Sequence, residues 1–390
     1  MIAQPRRVWS LLCAHRARIL VIATGVLLVF VIFLAAAPQG RAMVKTALFI
    51  AQVVPSLPSV TLFQPGPFRE HIEVMTPEGP RSADLYRPGG DGPYAAAVVF
   101  LGVAPAGPDD PRVVNLGRAL ARANMVALIY WSPQKIAKRI HPPDVQNLVA
   151  AFRHLQSLPM VDPERVGFAG FCVGASFVLI ASAQEEIRDQ VAFVSATTPY
   201  FDLVDFMRAV GAGARFYQAA GEIRREPWEV DDLTREVAEK LLLESLRSSE
   251  EAGLIRAALD GQRDLAPSGL TPHGSAVFRI LAGGSPMEID QAIADLPDDL
   301  LLQMAEVSPV HHVSQIRSPV LIMHDEEDSL VPSEESRRLA EALEGRTEVR
   351  YTEFKLFRHV TPDRPLGIVS TASELFKLFR HLYSIIRLAT

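Results

Sequence analysis

The sequence predicts an α/β fold, a mostly parallel central sheet flanked by helices, with a helical cap insertion and a preceding transmembrane helix. Three observations predict it. Continuous apolar runs such as Ala95–Leu101 (AAAVVFL) and Met125–Tyr130 (MVALIY) have the composition of strands covered on both faces. These runs alternate with segments of helical periodicity, and repeated strand–helix alternation builds a parallel sheet sandwiched between helices. Ile19–Ala37 is an apolar run of 19 residues without a charge. The chain of 390 residues is 48% hydrophobic and 22% charged, enough apolar material for one large domain carrying an insertion.

Residues 1–18 form a basic flank with Arg6, Arg7, Arg16 and Arg18 and no acidic residue. The run over 19–37 is about 28 Å long as a helix, matching a hydrocarbon core of about 30 Å. A cleaved signal peptide competes, because Ala35-Ala36-Ala37 resembles a small-residue cleavage site. The run exceeds the about 7–15 apolar residues of such peptides, so an uncleaved anchor is expected. Only Arg41 and Lys45 follow in the next flank, and the bias of basic residues puts the N-terminus in the cytoplasm and the remainder outside. Residues 38–65 form a linker. Within it Met43–Val54, interrupted by Lys45 and Gln52, is either an interfacial amphipathic helix or a connecting helix packed on the domain.

The domain over 66–390 opens with strand-like His71–Met75 and Ala83–Tyr86, which pair as a hairpin. Strands at Ala95–Leu101 and Met125–Tyr130 enclose a helix at Pro111–Asn124 with Val113, Leu116, Leu120 and Ala123 on one face. A helix over Pro143–Leu158, capped by Asp144, precedes the strand Arg165–Gly170, and further strands fall at Val191–Ala196 and Pro319–Met323. The stretch of about 203–307 has little strand character. Its helical patterns are Asp231–Leu246, Glu250–Leu259 and Pro286–Ala305, the last opened by a capping box at Ser285–Glu288 and split by Pro297. This is the cap.

Charge and composition exclude several functions. A net charge of −6 gives no electrostatic reason for nucleic-acid binding. Two cysteines, Cys13 and Cys172, make neither a disulfide framework nor a paired-cysteine metal site. Gly211-Ala212-Gly213 lacks the third glycine and preceding strand of a nucleotide-binding turn, and His311-His312 lack the spacing of a metal-binding helix. Neither cofactor nor metal is expected.

The chemical signal is Gly170-Phe171-Cys172-Val173-Gly174, placed between a strand and the apolar helix Ala175–Ala183. A sharp strand-to-helix turn exposes a nucleophile, flanking glycines keep side chains out of the turn, and N–H groups at the helix start face a developing oxyanion. The competing reading is a small buried cysteine filling the junction.

With this elbow the chain resembles the dienelactone hydrolase family of α/β-hydrolases over most of residues 90–380, apart from the insertion. Arg165–Ala175 (RVGFAGFCVGA) resembles the family's elbow, and Ser318–Pro332 (SPVLIMHDEEDSLVP) its acid-bearing strand and loop. The resemblance implies an α/β-hydrolase fold and a Cys-His-Asp triad in the chain order nucleophile, acid, histidine. The acid four residues before the proline of Val331-Pro332 is Asp328; Asp325, Glu326 and Glu327 are rivals whose bland reading is a solvated acidic loop. Two histidines follow: His359, in a loop before Pro362 as in the family, and His381, read as a helix-surface residue of Glu374–Leu388. The family's Phe-Gly-Val oxyanion loop corresponds to Leu101-Gly102-Val103, which with the N–H of Val173 would stabilise the oxyanion. Two positions depart from the family: Val99 replaces a glutamate near the thiol, and Asp363, with Arg364 adjacent, replaces the arginine that holds a substrate carboxylate. The implied activity is hydrolysis of a small ester, lactone or thioester through an acyl-cysteine. The alternatives are an acyltransferase or thioesterase using the same triad, and a noncatalytic binding domain.

Overall fold

The computed structural model describes residues 27–29, 31–54, 57, 66–219, 222–261 and 269–388. Eight strands form one sheet in the order β1 (Phe68–Thr76), β2 (Gly79–Arg87), β4 (Met125–Tyr130), β3 (Tyr94–Phe100), β5 (Val161–Phe171), β6 (Val194–Thr197), β9 (Val320–Asp325) and β10 (Val349–Phe354). β2 is antiparallel to both neighbours and every other pairing is parallel. This is the α/β-hydrolase arrangement. Its chemistry sits at the C-terminal ends of the parallel strands, where successive loops converge.

The unbroken apolar runs have a direct cause. On β3 the side chains of Ala96, Val98 and Phe100 join the core under α5 (Asp144–Gln156) and α6 (Val173–Ser182). The intervening Ala95, Ala97 and Val99 face the opposite layer, formed by α3 (Pro111–Arg122) and α14 (Ile368–Leu388). Helices on both faces leave a central strand no polar side.

Ahead of the sheet, α1 (Leu27–Ala36) and α2 (Pro38–Val53) meet at an 87° bend. α2 buries Ala42, Thr46, Phe49 and Ile50 against α3 and α14, the packing expected of a connecting helix on the domain. Among the described residues no single helix is long and apolar enough to cross a membrane. The first eight residues expected in the anchor, 19–26, lie outside the described residues, as do 1–18 and most of 55–65. In the described remainder Leu27, Leu28, Val31 and Ile32 are exposed.

The cap lies between β6 and β9. It comprises α7 (Leu203–Ala212), α8 (Asp232–Glu244), α9 (Ser249–Leu259), α10 (Pro272–Ala282), α11 (Pro286–Ala294) and α12 (Asp298–Glu306). The Ser285–Glu288 capping box is present, and Pro297 separates α11 from α12 as its missing N–H requires. One correction concerns strand content: β7 (Ala214–Ala219) and β8 (Glu222–Pro227) form an antiparallel hairpin. These strands pair only with each other, and their charged sequence lacks the apolar run that marks a buried strand. Asp144 also departs from expectation. It is the first residue of α5, its side chain does not cap that helix, and it instead accepts a hydrogen bond from Ser132 Oγ at 2.8 Å.

The remaining helices are α4 (Pro133–Ile136), a single turn after β4, and α13 (Ser333–Leu343), which follows the acid loop.

Candidate active site

Cys172 stands alone between β5 and α6, with φ 54° and ψ −133°. A non-glycine residue adopts this region only when its surroundings dictate it. They do so here: the Cys172 N–H donates to Thr197 O at 2.8 Å, and its carbonyl accepts from Ala175 N at 2.8 Å. Gly170 and Gly174 are required by close approach. A Cβ on Gly174 would lie 2.5 Å from the carbonyl oxygens of Phe100 and Leu101, and one on Gly170 would lie 2.5 Å from Ala175 Cα. Gly174→Ala is therefore expected to cost about 1–3 kcal/mol through overpacking. A thermal melt unchanged by this substitution would contradict the packing argument.

The Leu101-Gly102-Val103 loop crosses Cys172. A Cβ on Gly102 would lie 2.8 Å from Cys172 Cβ and 3.4 Å from its Sγ. Val173 is the first residue of α6, so its N–H has no acceptor within the helix. The loop is pinned one residue later, where the N–H of Ala104 donates to Lys135 O at 2.9 Å.

Asp328 and His359 come together. His359 Nδ1 lies 2.7 Å from Asp328 Oδ2, while Asp328 Oδ1 accepts the N–H groups of Leu330 and Val331 at 2.7 and 3.1 Å. Burial opposes ionisation of Asp328, but His359, His324 and the Leu330 N–H outweigh it and hold its carboxyl below the usual range. Burial likewise opposes charging of His359, yet the Asp328 carboxylate and then the Cys172 sulfur hold its imidazole well above the usual value. His359, like Cys172, has a left-handed backbone, with φ 55°.

Asp325 is not part of a solvated loop, which corrects the bland reading of this acidic stretch. It is 1% exposed, and its Oδ2 accepts from the His359 N–H at 3.0 Å and from Arg364 Nη2 at 2.9 Å. It holds the strained histidine loop in place. Arg364 also meets Glu327 at 3.1 Å, so its charge is committed to protein carboxylates. Val99 is fully buried and brings no carboxylate toward the thiol. His381 is corrected too: it is fully buried, bonded to Thr352 Oγ1 at 3.0 Å, and burial pushes its imidazole down to about 3. The side of α14 that carries it faces β10. His312 bonds the Glu306 carbonyl.

The sequence reading missed several positioning groups. Buried His324 bonds Ser336 Oγ and Val331 O at 2.6 and 2.9 Å and stands 3.5 Å from Asp328 Oδ2, while burial lowers its proton affinity. Three hydrogen bonds tie the cap to the acid loop: Trp228 Nε1 to Asp328 O, the Asp231 N–H to Ser329 O, and Thr234 Oγ1 to Leu330 O, each 2.9 Å. Such contacts across about a hundred residues leave no local pattern. Trp228→Phe, which keeps an aromatic ring and removes the donor, is expected to lower kcat about tenfold by loosening the acid loop. The check is kcat and KM measured beside an unchanged circular dichroism spectrum.

The model of the dienelactone hydrolase family matches residues 131–203, the segment running from the end of β4 through the elbow to the start of the cap. Over this segment the chain is similar to that family. The chain is thus a hydrolase acting on ester bonds. No curated protein matches it in sequence. Similar solved structures include a complex of DcsB with its substrate analogue, at 18% identity and TM-score 0.46, covering 80% of this chain and 99% of that one. A 2,6-dihydroxy-pseudo-oxynicotine hydrolase is 13% identical with TM-score 0.49 over 83% and 69% of the two chains. A hyperthermophilic esterase from the archaeon Pyrobaculum calidifontis is 14% identical with TM-score 0.47 over 90% and 92%.

Proposed function

We propose that this dienelactone hydrolase-like enzyme cleaves its ester or lactone through a Cys172–His359–Asp328 triad and an acyl-cysteine intermediate. The observation that carries the reading is the 2.7 Å contact between His359 Nδ1 and Asp328 Oδ2, with Cys172 at a strained elbow where its sulfur favours the charged form of the same imidazole. His359 takes the thiol proton as Cys172 attacks the carbonyl. The imidazolium returns a proton to the leaving alcohol, and neutral His359 then activates water to release the acid. Asp328 orients the imidazole and stabilises its charged form. The N–H of Val173 and those of the Leu101-Gly102-Val103 loop receive the oxyanion.

The substrate class follows from what surrounds the thiol. Arg364, the cation next to the family's carboxylate-holding position, is paired with Asp325 and Glu327, which favours a substrate without a carboxylate there. Cys172 belongs to the same apolar cluster as the cap residues Phe206, Trp228, Val230 and Leu242, which favours an apolar acyl group. The charge-free run over 19–37 and the basic flank before it support a membrane-held enzyme with an extracytoplasmic catalytic domain. Protease added to intact cells would then digest this domain, whereas protection alongside a digested surface control would refute that placement.

The test of the chemistry is intact-mass analysis of the full-length chain carrying Cys13→Ser, incubated with a panel of activated acyl esters. The expected result is an acyl adduct on Cys172 that His359→Ala abolishes. Added amine or thiol acceptors distinguish transfer from hydrolysis by their products. A folded chain giving neither adduct nor turnover would instead support a noncatalytic binding domain.

A further inference from the structure

The loop that crosses Cys172 is held from outside by a single turn of helix. The N–H of Ala104, whose left-handed backbone (φ 49°) is costly for a residue with a side chain, donates to Lys135 O at 2.9 Å. Lys135 lies on α4, which has four residues and is too short to be held by its own backbone hydrogen bonds. Side chains hold it instead. Lys135 is 1% exposed, an unusual place for an ammonium group. Its Nζ donates to Arg139 O at 3.3 Å, which closes the turn on itself, and stands 3.7 Å from Asp144 Oδ2 on α5 and 3.7 Å from the centre of the Phe177 ring on α6. Ser132 Oγ accepts the Lys135 N–H at 3.3 Å and donates to Asp144 Oδ2 at 2.8 Å, so the cap of the turn and the partner of its lysine are tied together. Phe177 is in the second turn of α6, the helix that Cys172 heads. The turn is therefore docked on the helix that carries the thiol, while its Lys135 carbonyl meets the loop across from it.

We infer that Lys135 is a positioning residue for the oxyanion hole: by fixing α4 it fixes the hydrogen bond to the Ala104 N–H, and with it the N–H groups of the Leu101-Gly102-Val103 loop. The inference rests on Cys172 being the nucleophile and on that loop receiving its oxyanion. An apolar side chain of similar length would fill the same space without the desolvation penalty of a buried charge. What the ammonium adds is direction, because its contacts with the Arg139 carbonyl, with Asp144 and with the Phe177 ring lie on different segments and together allow one placement of the turn. That placement matters at the thiol, since a Cβ on Gly102 would lie only 3.4 Å from Cys172 Sγ. Oxyanion donors act at hydrogen-bond length, and a displacement of about 1 Å costs about 100-fold in rate. Lys135 acts here through its carbonyl and its turn; its ammonium needs no contact with the sulfur.

The experiment compares two reactions of Cys172 in the full-length chain carrying Cys13→Ser. Acylation by p-nitrophenyl butyrate, read from the release of p-nitrophenolate, passes through a tetrahedral oxyanion. Alkylation by iodoacetamide, read by intact mass, is a displacement at saturated carbon in which sulfur bonds to carbon as iodide leaves, and no oxyanion forms. Lys135→Met, which keeps the length and removes the ammonium, should slow acylation about 10–100-fold and leave alkylation within about twofold of the parent. Ser132→Ala removes the cap of α4 without leaving a buried charge unpaired, and should show the same split at about 3–10-fold. It decides the matter where the methionine variant does not fold. Acylation left unchanged in the folded variant, or acylation and alkylation slowed by the same factor, overturns the inference. In the second case the residue acts on the thiol or on the fold as a whole, not on the oxyanion loop. If the parent itself forms no acyl adduct, the triad reading fails and the inference falls with it.

Discussion

Replacing Cys172 with alanine is expected to abolish ester turnover, a loss of about 10⁵-fold or more, and to eliminate the acyl adduct. The size follows from the mechanism, because nothing else in the site can form the covalent bond that divides the reaction into two easier steps. Alanine keeps the β-carbon at an 8%-exposed position and removes only the sulfur, so the fold should persist. Near-wild-type turnover in the alanine variant would remove the entire proposal. Cys172→Ser sharpens the test. A hydroxyl does not ionise in the way a thiol does, so the serine variant should be far slower than wild type even though an oxygen nucleophile is present.

Asp328→Asn is expected to lower kcat by about 10⁴-fold with little change in KM. An asparagine presents an amide where His359 Nδ1 now meets a carboxylate oxygen at 2.7 Å, which disfavours the required tautomer and withdraws the charge that holds the imidazolium. The proton affinity of His359 should fall, moving the acidic limb of the rate profile, set by the base form the mechanism needs, to lower pH. The same pair has a stability signature of defined sign. Asp328 is depressed, so its contribution is present above about pH 4 and is lost as pH falls through its lower folded value. His359 is raised, so its contribution is present below about pH 6.5 and is lost as pH rises through its higher folded value. The difference in thermal midpoint between wild type and Asp328→Asn should be largest from about pH 4 to 6.5 and shrink on both sides. A difference independent of pH would mean that the contact carries no ionic coupling.

The strand–helix order and the strand-to-helix turn at 170–174 were legible because each is written locally. Apolar runs, helical periodicity, glycine spacing and capping residues act over a few positions. The hairpin Ala214–Pro227 was not legible, since its two short, charged strands find partners only in each other. His381 misled for a related reason: its neighbours place it on a helix, but which side of that helix meets β10 depends on how α14 lies across the sheet. Asp325 and Asp328 are nearly adjacent in the chain, yet one accepts the histidine's backbone N–H and the other bonds its ring. Spacing cannot assign those two roles.

By itself the sequence determined the α/β alternation, the place of Cys172 on a strand-to-helix turn, and a charge-free run ahead of the domain. It did so because backbone geometry and apolar burial are imposed residue by residue along the chain. Tertiary structure alone decided that Asp325 clamps the histidine loop, that three cap hydrogen bonds hold the acid loop, and that Lys135 is buried beside the helix that Cys172 heads. Those contacts join segments tens to a hundred residues apart. Their energies depend on distance and desolvation in the folded interior, quantities that come into existence only when the sheet brings its loops to one end.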